Sequence, residues 1–267
     1  MFDPWIVLEL AALGAGTGFL AGLLGIGGGM TMVPFLTMIF TARQFPDDAI
    51  VKMAIATSLT TILFTSVSSV WAHYKRGAVR TDLLKYMGLG GFLGTFIGAN
   101  FAGALKGSVL AAIFAVFVGY SAWQMIKGKK PKAGRSVPGT LGQTLVGGAI
   151  GFLSSLLGAG GGFVTVPFLT WCNVQMHQAV ATSAGMGFPI AAGGLIGYAV
   201  SGSALEGLPA GSLGYIYLPA LLILAVGSVA TAPLGAKVAH AMDVASLKKI
   251  FAYLLFVLAG YMLTRAF

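Results

Sequence analysis

Charged residues are scarce in this chain, and their scarcity excludes an ordinary soluble domain. Only 9% of the 267 residues are Asp, Glu, Lys or Arg, whereas 57% are hydrophobic. The mean hydropathy is +0.89. A soluble domain carries about a quarter charged residues. The composition therefore predicts an all-α polytopic membrane protein.

Residues that carry catalytic or metal chemistry are also scarce. The single cysteine, Cys172, excludes an internal disulfide and a clustered cysteine metal site. The three histidines, His73, His177 and His240, do not have the spacing of metal ligands. No GxxxxGK[ST] motif for ATP occurs, and no catalytic dyad is visible. We therefore expect neither an enzyme nor a cofactor or metal, and no ATP-driven pumping by this chain alone.

Acidic residues number 7 against 16 Lys and Arg, which gives a net charge of +9. The cations lie in short connections between apolar runs, a distribution that sets membrane orientation and does not indicate nucleic-acid binding. The connection 201–212 has no cation. The basic residues of three other connections are Lys75, Arg76, Arg80 and Lys85; Lys127, Lys129, Lys130, Lys132 and Arg135; and Lys237, Lys248 and Lys249.

Apolar runs bounded by polar residues predict the helices. Two of them, 30–41 and 163–172, are half as long as a membrane-spanning helix, and each follows a glycine cluster. The predicted runs are 5–24, 30–41, 49–72, 83–104, 107–126, 140–157, 163–172, 178–200, 213–235 and 246–266.

An internal repeat divides the chain at the polar linker 128–138. The segment "GFLAGLLGIGGGMTMVPFLT" at 18–37 matches "GFLSSLLGAGGGFVTVPFLT" at 151–170 in 14 of 20 positions. "AIATS" at 54–58 recurs as "AVATS" at 179–183. We expect two homologous halves, 1–127 and 139–267, that pack as one membrane domain.

Two topologies fit this repeat. If each glycine-broken segment is a re-entrant hairpin, each half adds three transmembrane helices and the halves are inverted, with 12 cations inside and 4 outside. If each broken segment crosses once, the halves are parallel and the count is 10 against 6. The positive-inside rule favours the inverted arrangement, with the linker cytoplasmic. The long arms 5–24 and 140–157 leave the parallel one open.

The repeated glycines predict an anion site. Glycine costs about 1 kcal/mol relative to alanine within a helix, and non-helical backbone survives in a bilayer only where protein or a cavity satisfies it. Bare N–H groups at the N-terminus of a short helix attract anions. The alternative is close helix packing, which explains Gly90, Gly91, Gly94, Gly98, Gly193, Gly194 and Gly197.

The predicted site combines these glycines with nearby hydroxyls, which could instead bond back to their own helices. Replacing Gly28 or Gly161 with valine is expected to abolish anion binding in a folded protein. Residues expected to shape the two breaks are Gly25, Pro34, Gly158 and Pro167. Residues expected to bind the substrate are Gly27, Gly28, Gly29, Thr57, Ser58, Gly160, Gly161, Gly162, Thr182 and Ser183.

Glu9 is the best single candidate for a proton relay, because it is an acidic residue within an apolar run. An interfacial position near the segment end is the favoured interpretation.

The duplicated glycine–proline motif, the two "ATS" helices and the basic linker resemble the TauE/SafE family of sulfite exporters over essentially the whole chain. The resemblance implies a multi-pass inner-membrane transporter of small sulfur-containing anions, such as sulfite or organosulfonates. The leading hypothesis is a secondary transporter; an anion channel, or a transporter of another small oxyanion or carboxylate, is the alternative. The expected partners are the anionic substrate and the lipid bilayer. The sequence leaves open the substrate, the direction of transport, the coupling ion and the oligomeric state, a homo-oligomer included.

Overall fold

The computed structural model describes residues 4–24, 28–75, 77–127, 134–239 and 244–267. Within them the chain forms ten helices and one two-stranded β-hairpin. The helices are α1 Pro4–Leu24, α2 Gly29–Ala42, α3 Asp47–Tyr74, α4 Thr81–Ala104, α5 Gly107–Lys127, α6 Thr140–Leu157, α7 Gly162–Trp171, α8 Met176–Ser201, α9 Leu218–Ala239 and α10 Val244–Thr264.

Each predicted apolar run coincides with a helix, which confirms the all-α polytopic class. The run 213–235 starts differently, because an antiparallel hairpin of β1 (Ser212–Leu213) and β2 (Ile216–Tyr217) precedes α9. Gly211 and Gly214 have φ values of 86° and 54°, a left-handed backbone that cannot continue into a helix. Among the described residues, six helices are long and apolar enough to cross a membrane: α1, α3, α5, α6, α8 and α9.

The helices of each half pack mainly on helices of the other half. The first helix of one half pairs with the fourth of the other, so α1 lies on α9 and α6 lies on α4. The third helices, α3 and α8, contact each other, as do the fifth helices, α5 and α10. The halves are therefore interleaved, and neither forms a separate core.

Glycines at four-residue spacing allow α1 and α9 to approach closely. Gly14 faces Leu224, and Gly18 and Gly22 face Ser228 and Ala232, so a Cβ on any of the three would overlap the α9 backbone. Small residues of this kind permit close contact between membrane helices. Because the residue numbers rise together along both helices, α1 and α9 run parallel.

The same arrangement recurs between α4 and α6. Gly94 packs on Gly148, and Gly98 packs on Phe152 and Ser155, which again makes the pair parallel. The interpretation of the remaining packing glycines is also confirmed, because a side chain on each would meet a neighbouring helix. The contacts are Gly90 with Thr144, Gly91 with Ile190, Gly193 with Phe92, Gly194 with Leu59, and Gly197 with Ala99.

The remaining contacts fix the direction of every pair near the centre. α3 and α8 are antiparallel, since Val70 lies by Gly185 and Leu59 by Gly194. α3 runs parallel to α9, because Thr57 and Thr65 contact Tyr217 and Ser228 respectively. α8 runs parallel to α4, because Gly193 and Gly197 lie against Phe92 and Phe96.

Thus α1, α3 and α9 run in one direction and α4, α6 and α8 run in the other. Each of these helices is opposed to its counterpart in the other half, as in the inverted arrangement and not as in the parallel one. That the two halves are homologous stays a prediction from the sequence.

Both broken segments return to the side from which they start. α6 follows the linker, and α7 ends beside it, because Gly134 donates its N–H to the carbonyl of Trp171 (3.3 Å). α2 ends near the start of α9, where the rings of Phe40 and Tyr217 are 5.8 Å apart. We call the side of 134–139 the linker side and the side of the β-hairpin 212–217 the hairpin side. α1–α2 returns to the hairpin side, and α6–α7 returns to the linker side.

Candidate functional site

The described parts of the two glycine breaks, residues 28–29 and 158–162, lie in direct contact. Gly29 packs against the carbonyl of Gly158 and the Cα of Ala159 so tightly that a Cβ on Gly29 would overlap them. Ser58 of α3 donates its hydroxyl to the carbonyl of Gly158 (2.9 Å). The structure therefore joins three of the predicted site residues from both halves at one point. Gly25 and Gly27 lie outside the described residues.

The backbone at the breaks requires glycine. Gly28 and Gly161 precede α2 and α7 with φ values of 70° and 77°, and Gly158 ends α6 with a φ of 62°. These left-handed conformations are costly for residues with a side chain. Glycine is therefore required at the breaks for two reasons, the positive φ of the backbone and the close contact between the two segments.

This geometry overturns the expectation that valine at Gly28 or Gly161 leaves the fold intact. A Cβ on Gly28 would lie 2.5 Å from the carbonyl oxygen of Thr17, and one on Gly161 would lie 2.7 Å from the Ile150 side chain. A β-branched residue at positive φ is a backbone outlier. Valine at either position would strain the fold and obscure any effect on binding.

The second break presents backbone donors. Among the described residues, the N–H groups of Gly160, Gly161 and Gly162 have no hydrogen-bond acceptor; the first bonds of this turn come from Val164 and Thr165, which donate to the Gly161 carbonyl. The first turn of a helix always leaves such groups unpaired, and the positive end of the helix dipole lies with them. An anion is the natural partner for this arrangement.

Pro34 and Pro167 each occupy the sixth position of the short helix that follows a break. Proline has no N–H, so the carbonyls four residues earlier, those of Met30 and Phe163, lose their helical donor. The prolines therefore weaken the hydrogen bonding of the turn that adjoins each break.

A small central cavity adjoins Gly160. It has a volume of about 10 Å³, which is about the space of one water molecule. Residues of both halves enclose it, among them Ala21 of α1 and Gly187 of α8. Its hydroxyl groups belong to Thr65, Ser66, Ser69 and Ser183.

Only Ser183 of these hydroxyl residues was predicted from the sequence. Thr65, Ser66 and Ser69 are not part of the repeated pattern, because α8 has no hydroxyls at the matching positions. A usable signal exists, since Ser58, Thr65 and Ser69 are spaced by seven and four residues and therefore share one face of α3.

Thr57 and Thr182 have a different setting from the serines that follow them. The Thr57 hydroxyl accepts the N–H of Tyr217, directly before α9, and the Thr182 hydroxyl accepts the N–H of Arg80, directly before α4 (both 3.0 Å). Both threonines are fully buried. In each half, one threonine hydroxyl therefore accepts a backbone N–H that directly precedes a helix of the other half. The sequence did not suggest this structural role.

A Thr57→Val variant tests this role. Valine keeps the shape but leaves the Tyr217 N–H without an acceptor, which is expected to lower the free energy of unfolding by about 1–3 kcal/mol. Thermal unfolding of the purified protein measures the loss, and Thr57→Ser, which keeps the acceptor, is the control. A raised KM for substrate at unchanged Tm would instead make Thr57 a binding residue.

Glu9 lies apart from the central cavity. It is exposed and lines an open groove of about 590 Å³ between α1 and α2, together with Thr17, Thr31 and Phe35. Its role as a relay stays a prediction. Within the described part of the chain, no group of three or more His, Cys, Asp or Glu residues could hold a metal ion.

Comparisons with known proteins agree with this architecture. The family model "Sulfite exporter TauE/SafE" matches residues 10–262. A "Probable membrane transporter protein" of Haemophilus influenzae is 37% identical over 95% of this chain and 96% of its own. A "Probable membrane transporter protein" of Methanocaldococcus jannaschii is 30% identical over 98% and 97%, respectively. No solved structure matches the chain.

Proposed function

The chain belongs to the sulfite exporter TauE/SafE family, and we propose that it is a secondary transporter of a small anion, sulfite or an organosulfonate, in the bacterial inner membrane. It is a membrane transporter and not an enzyme. The family name supports a sulfur oxyanion as the substrate. The contact between the two glycine breaks is the single observation that carries the mechanism.

In the proposed mechanism, the anion binds where the breaks meet. Backbone N–H groups of Gly160, Gly161 and Gly162, with those of Gly28 and Gly29 from the other half, form the donor set. Ser183 adds a hydroxyl, Ser58 fixes the Gly158 carbonyl of the second break, and Thr57 and Thr182 hold the surrounding helices. Because each half supplies one break, movement of one half against the other opens the site to alternate sides.

We place the linker side in the cytoplasm. The directions of the helices bring all three basic connections to this side, and Lys75, Lys127 and Arg135 there lie over tryptophan rings at 5.1, 3.7 and 4.6 Å. The tryptophans mark a membrane–water interface, and the excess of cations in short connections favours the cytoplasmic one. The cation-free connection 201–212 then lies on the outside.

Cysteine labelling tests the orientation. In a Cys172→Ala background, Ser136→Cys reports on the linker side and Ala204→Cys on the hairpin side; both positions are exposed. In intact cells, an impermeant maleimide is expected to label the second cysteine and to label the first only after lysis. The reverse pattern would place the linker outside and overturn the assignment.

Transport by the purified protein in proteoliposomes tests the function. Sulfite flux is expected to saturate, and an imposed ion or pH gradient is expected to drive accumulation, which would separate a carrier from a channel. Lactate and taurine serve as competitors that represent carboxylates and zwitterionic sulfonates. Flux that never exceeds the electrochemical equilibrium of the anion would favour a channel, and no sulfite or sulfonate flux at all would refute the substrate class.

A further inference from the structure

The hydroxyl of Ser69 differs from its neighbours in the central cavity. The Thr65 hydroxyl has two acceptors within reach, the Thr61 carbonyl (3.1 Å) and the Ser228 hydroxyl (2.7 Å), and Ser66 donates to the Leu63 carbonyl (3.1 Å). The Ser69 hydroxyl is 2% exposed and has no hydrogen-bond partner among the described residues. A buried hydroxyl left in this way is destabilising unless a ligand or water completes it.

A second orphan hydroxyl lies at the same break. Ser154 of α6 is fully buried, and its Oγ is 3.1 Å from the position of a Cβ on Gly161. It also lacks a hydrogen-bond partner within the described residues. Hydroxyls without a partner, one from α3 and one from α6, thus occur near Gly160 and Gly161 respectively.

The donors around this break carry no charge. The side chains that line the cavity are hydroxyl or apolar, and no Lys, Arg, Asp or Glu is among them. The positive contributions seen there among the described residues are the N-terminal dipoles of α7 and α2, each equivalent to roughly half an elementary charge. Such a site can offset one buried negative charge far better than two, since the Born cost rises with the square of the charge, about fourfold for a dianion.

We propose that the Ser69 hydroxyl is a substrate ligand beside the second glycine break, and that the site selects a singly charged oxyanion over a doubly charged one. This inference rests on the proposed transport function and specifies the charge of the anion that is transported. For sulfite, the species carried is the hydrogensulfite ion. Because the cavity holds only about one water in this conformation, binding requires the two halves to move slightly apart.

The test compares Ser69→Ala with wild type in proteoliposomes loaded with sulfite. Loss of a hydrogen bond to a charged ligand is expected to raise the KM about tenfold or more. The Tm without ligand is expected to stay equal or to rise, because alanine removes an unsatisfied polar group. A purely structural hydroxyl would instead lower the Tm. Ser68→Ala, one residue away and outside the cavity, is the contrasting variant: it loses a hydrogen bond to the Val229 carbonyl (3.0 Å), so its Tm is expected to fall while its KM stays unchanged.

Competition tests the charge selectivity. Excess methanesulfonate, a monoanion, is expected to inhibit sulfite flux in wild type, and excess sulfate, a dianion of similar size, is expected to leave it unchanged. Equal inhibition by both would overturn the charge assignment. An unchanged KM in Ser69→Ala would overturn the ligand role, whereas absence of any anion flux in wild type would refute the proposed function itself.

Discussion

Replacing Gly29 with alanine is expected to drive the two glycine breaks apart and to abolish transport. The added Cβ would overlap the Gly158 carbonyl and lie 2.8 Å from the Cα of Ala159. Both obstacles are backbone atoms, so no side-chain rotation can relieve the overlap. Overpacking of this kind costs about 1–3 kcal/mol and occasionally more. Thermal unfolding in detergent, together with substrate flux, measures the result.

Gly16→Ala is the matched control for this variant. Gly16 also lies in a helix of the first broken segment, but nothing lies within 4 Å of the position of its Cβ. Alanine there is expected to be neutral or slightly stabilising, because it favours the helix. If Gly29→Ala unfolds and transports as wild type does, the breaks are not in contact in the working protein.

A second variant, Ser58→Ala, separates a disturbance of the contact between the breaks from a general loss of folding. Ser58→Ala removes the hydrogen bond to the Gly158 carbonyl without adding volume. We expect a folded protein with reduced transport, since the second break loses the side chain that fixes it. Wild-type transport by Ser58→Ala would confine the defect of Gly29→Ala to steric strain.

Much of this fold could be predicted from the sequence because hydrophobicity and glycine dictate it. Apolar runs with polar ends give the helix bounds within a few residues, and the position of the cations favours the inverted arrangement, with which the helix directions agree. The repeated glycines mark the breaks because glycine adopts the positive φ of Gly28, Gly158 and Gly161 without steric cost. Hydrophobicity and glycine content are local properties, so they can be read directly from the sequence.

The pairing between distant residues could not be predicted in the same way. That Thr57 and Thr182 satisfy N–H groups before α9 and α4 depends on helix packing across the halves. The contact of Gly29 with Gly158 likewise depends on where the two hairpins meet. The lack of a partner for the Ser69 hydroxyl depends on the packing of neighbouring helices around the cavity. The repeat indicates matching positions, whereas the hydroxyls of this cavity come mostly from α3.

Lys52, a lysine inside an apolar run, joins three elements on the hairpin side of the molecule. Lys52 of α3 donates to the carbonyl of Gly103 in the last turn of α4 (2.9 Å) and lies 3.4 Å from the hydroxyl of Tyr215 in the β-hairpin. The last carbonyls of a helix lack partners and lie at its negative end, so a cation there is stabilising. Lys52 thus ties α3, α4 and the β-hairpin together.

Lys52→Met is therefore expected to lower the free energy of unfolding by about 1.5–3 kcal/mol, the range for a hydrogen bond to a charged group. The Tm should fall by several degrees. Labelling of Ala204→Cys beside the β-hairpin should become faster, since the connection loses its tie to α3. Methionine keeps the length and the apolar stem of lysine, so the comparison isolates the charged group.

Two further variants define what the lysine does. Tyr215→Phe removes the two long contacts of the hydroxyl, with Lys52 and with the Gly103 carbonyl (both 3.4 Å), and keeps the ring 5.4 Å from the Lys52 Nζ, so we expect a smaller loss of stability. Lys52→Arg keeps the charge and is expected to recover part of the Tm. If Lys52→Met unfolds like wild type but raises the KM for sulfite, the lysine attracts the anion at the outer surface and does not fasten the β-hairpin.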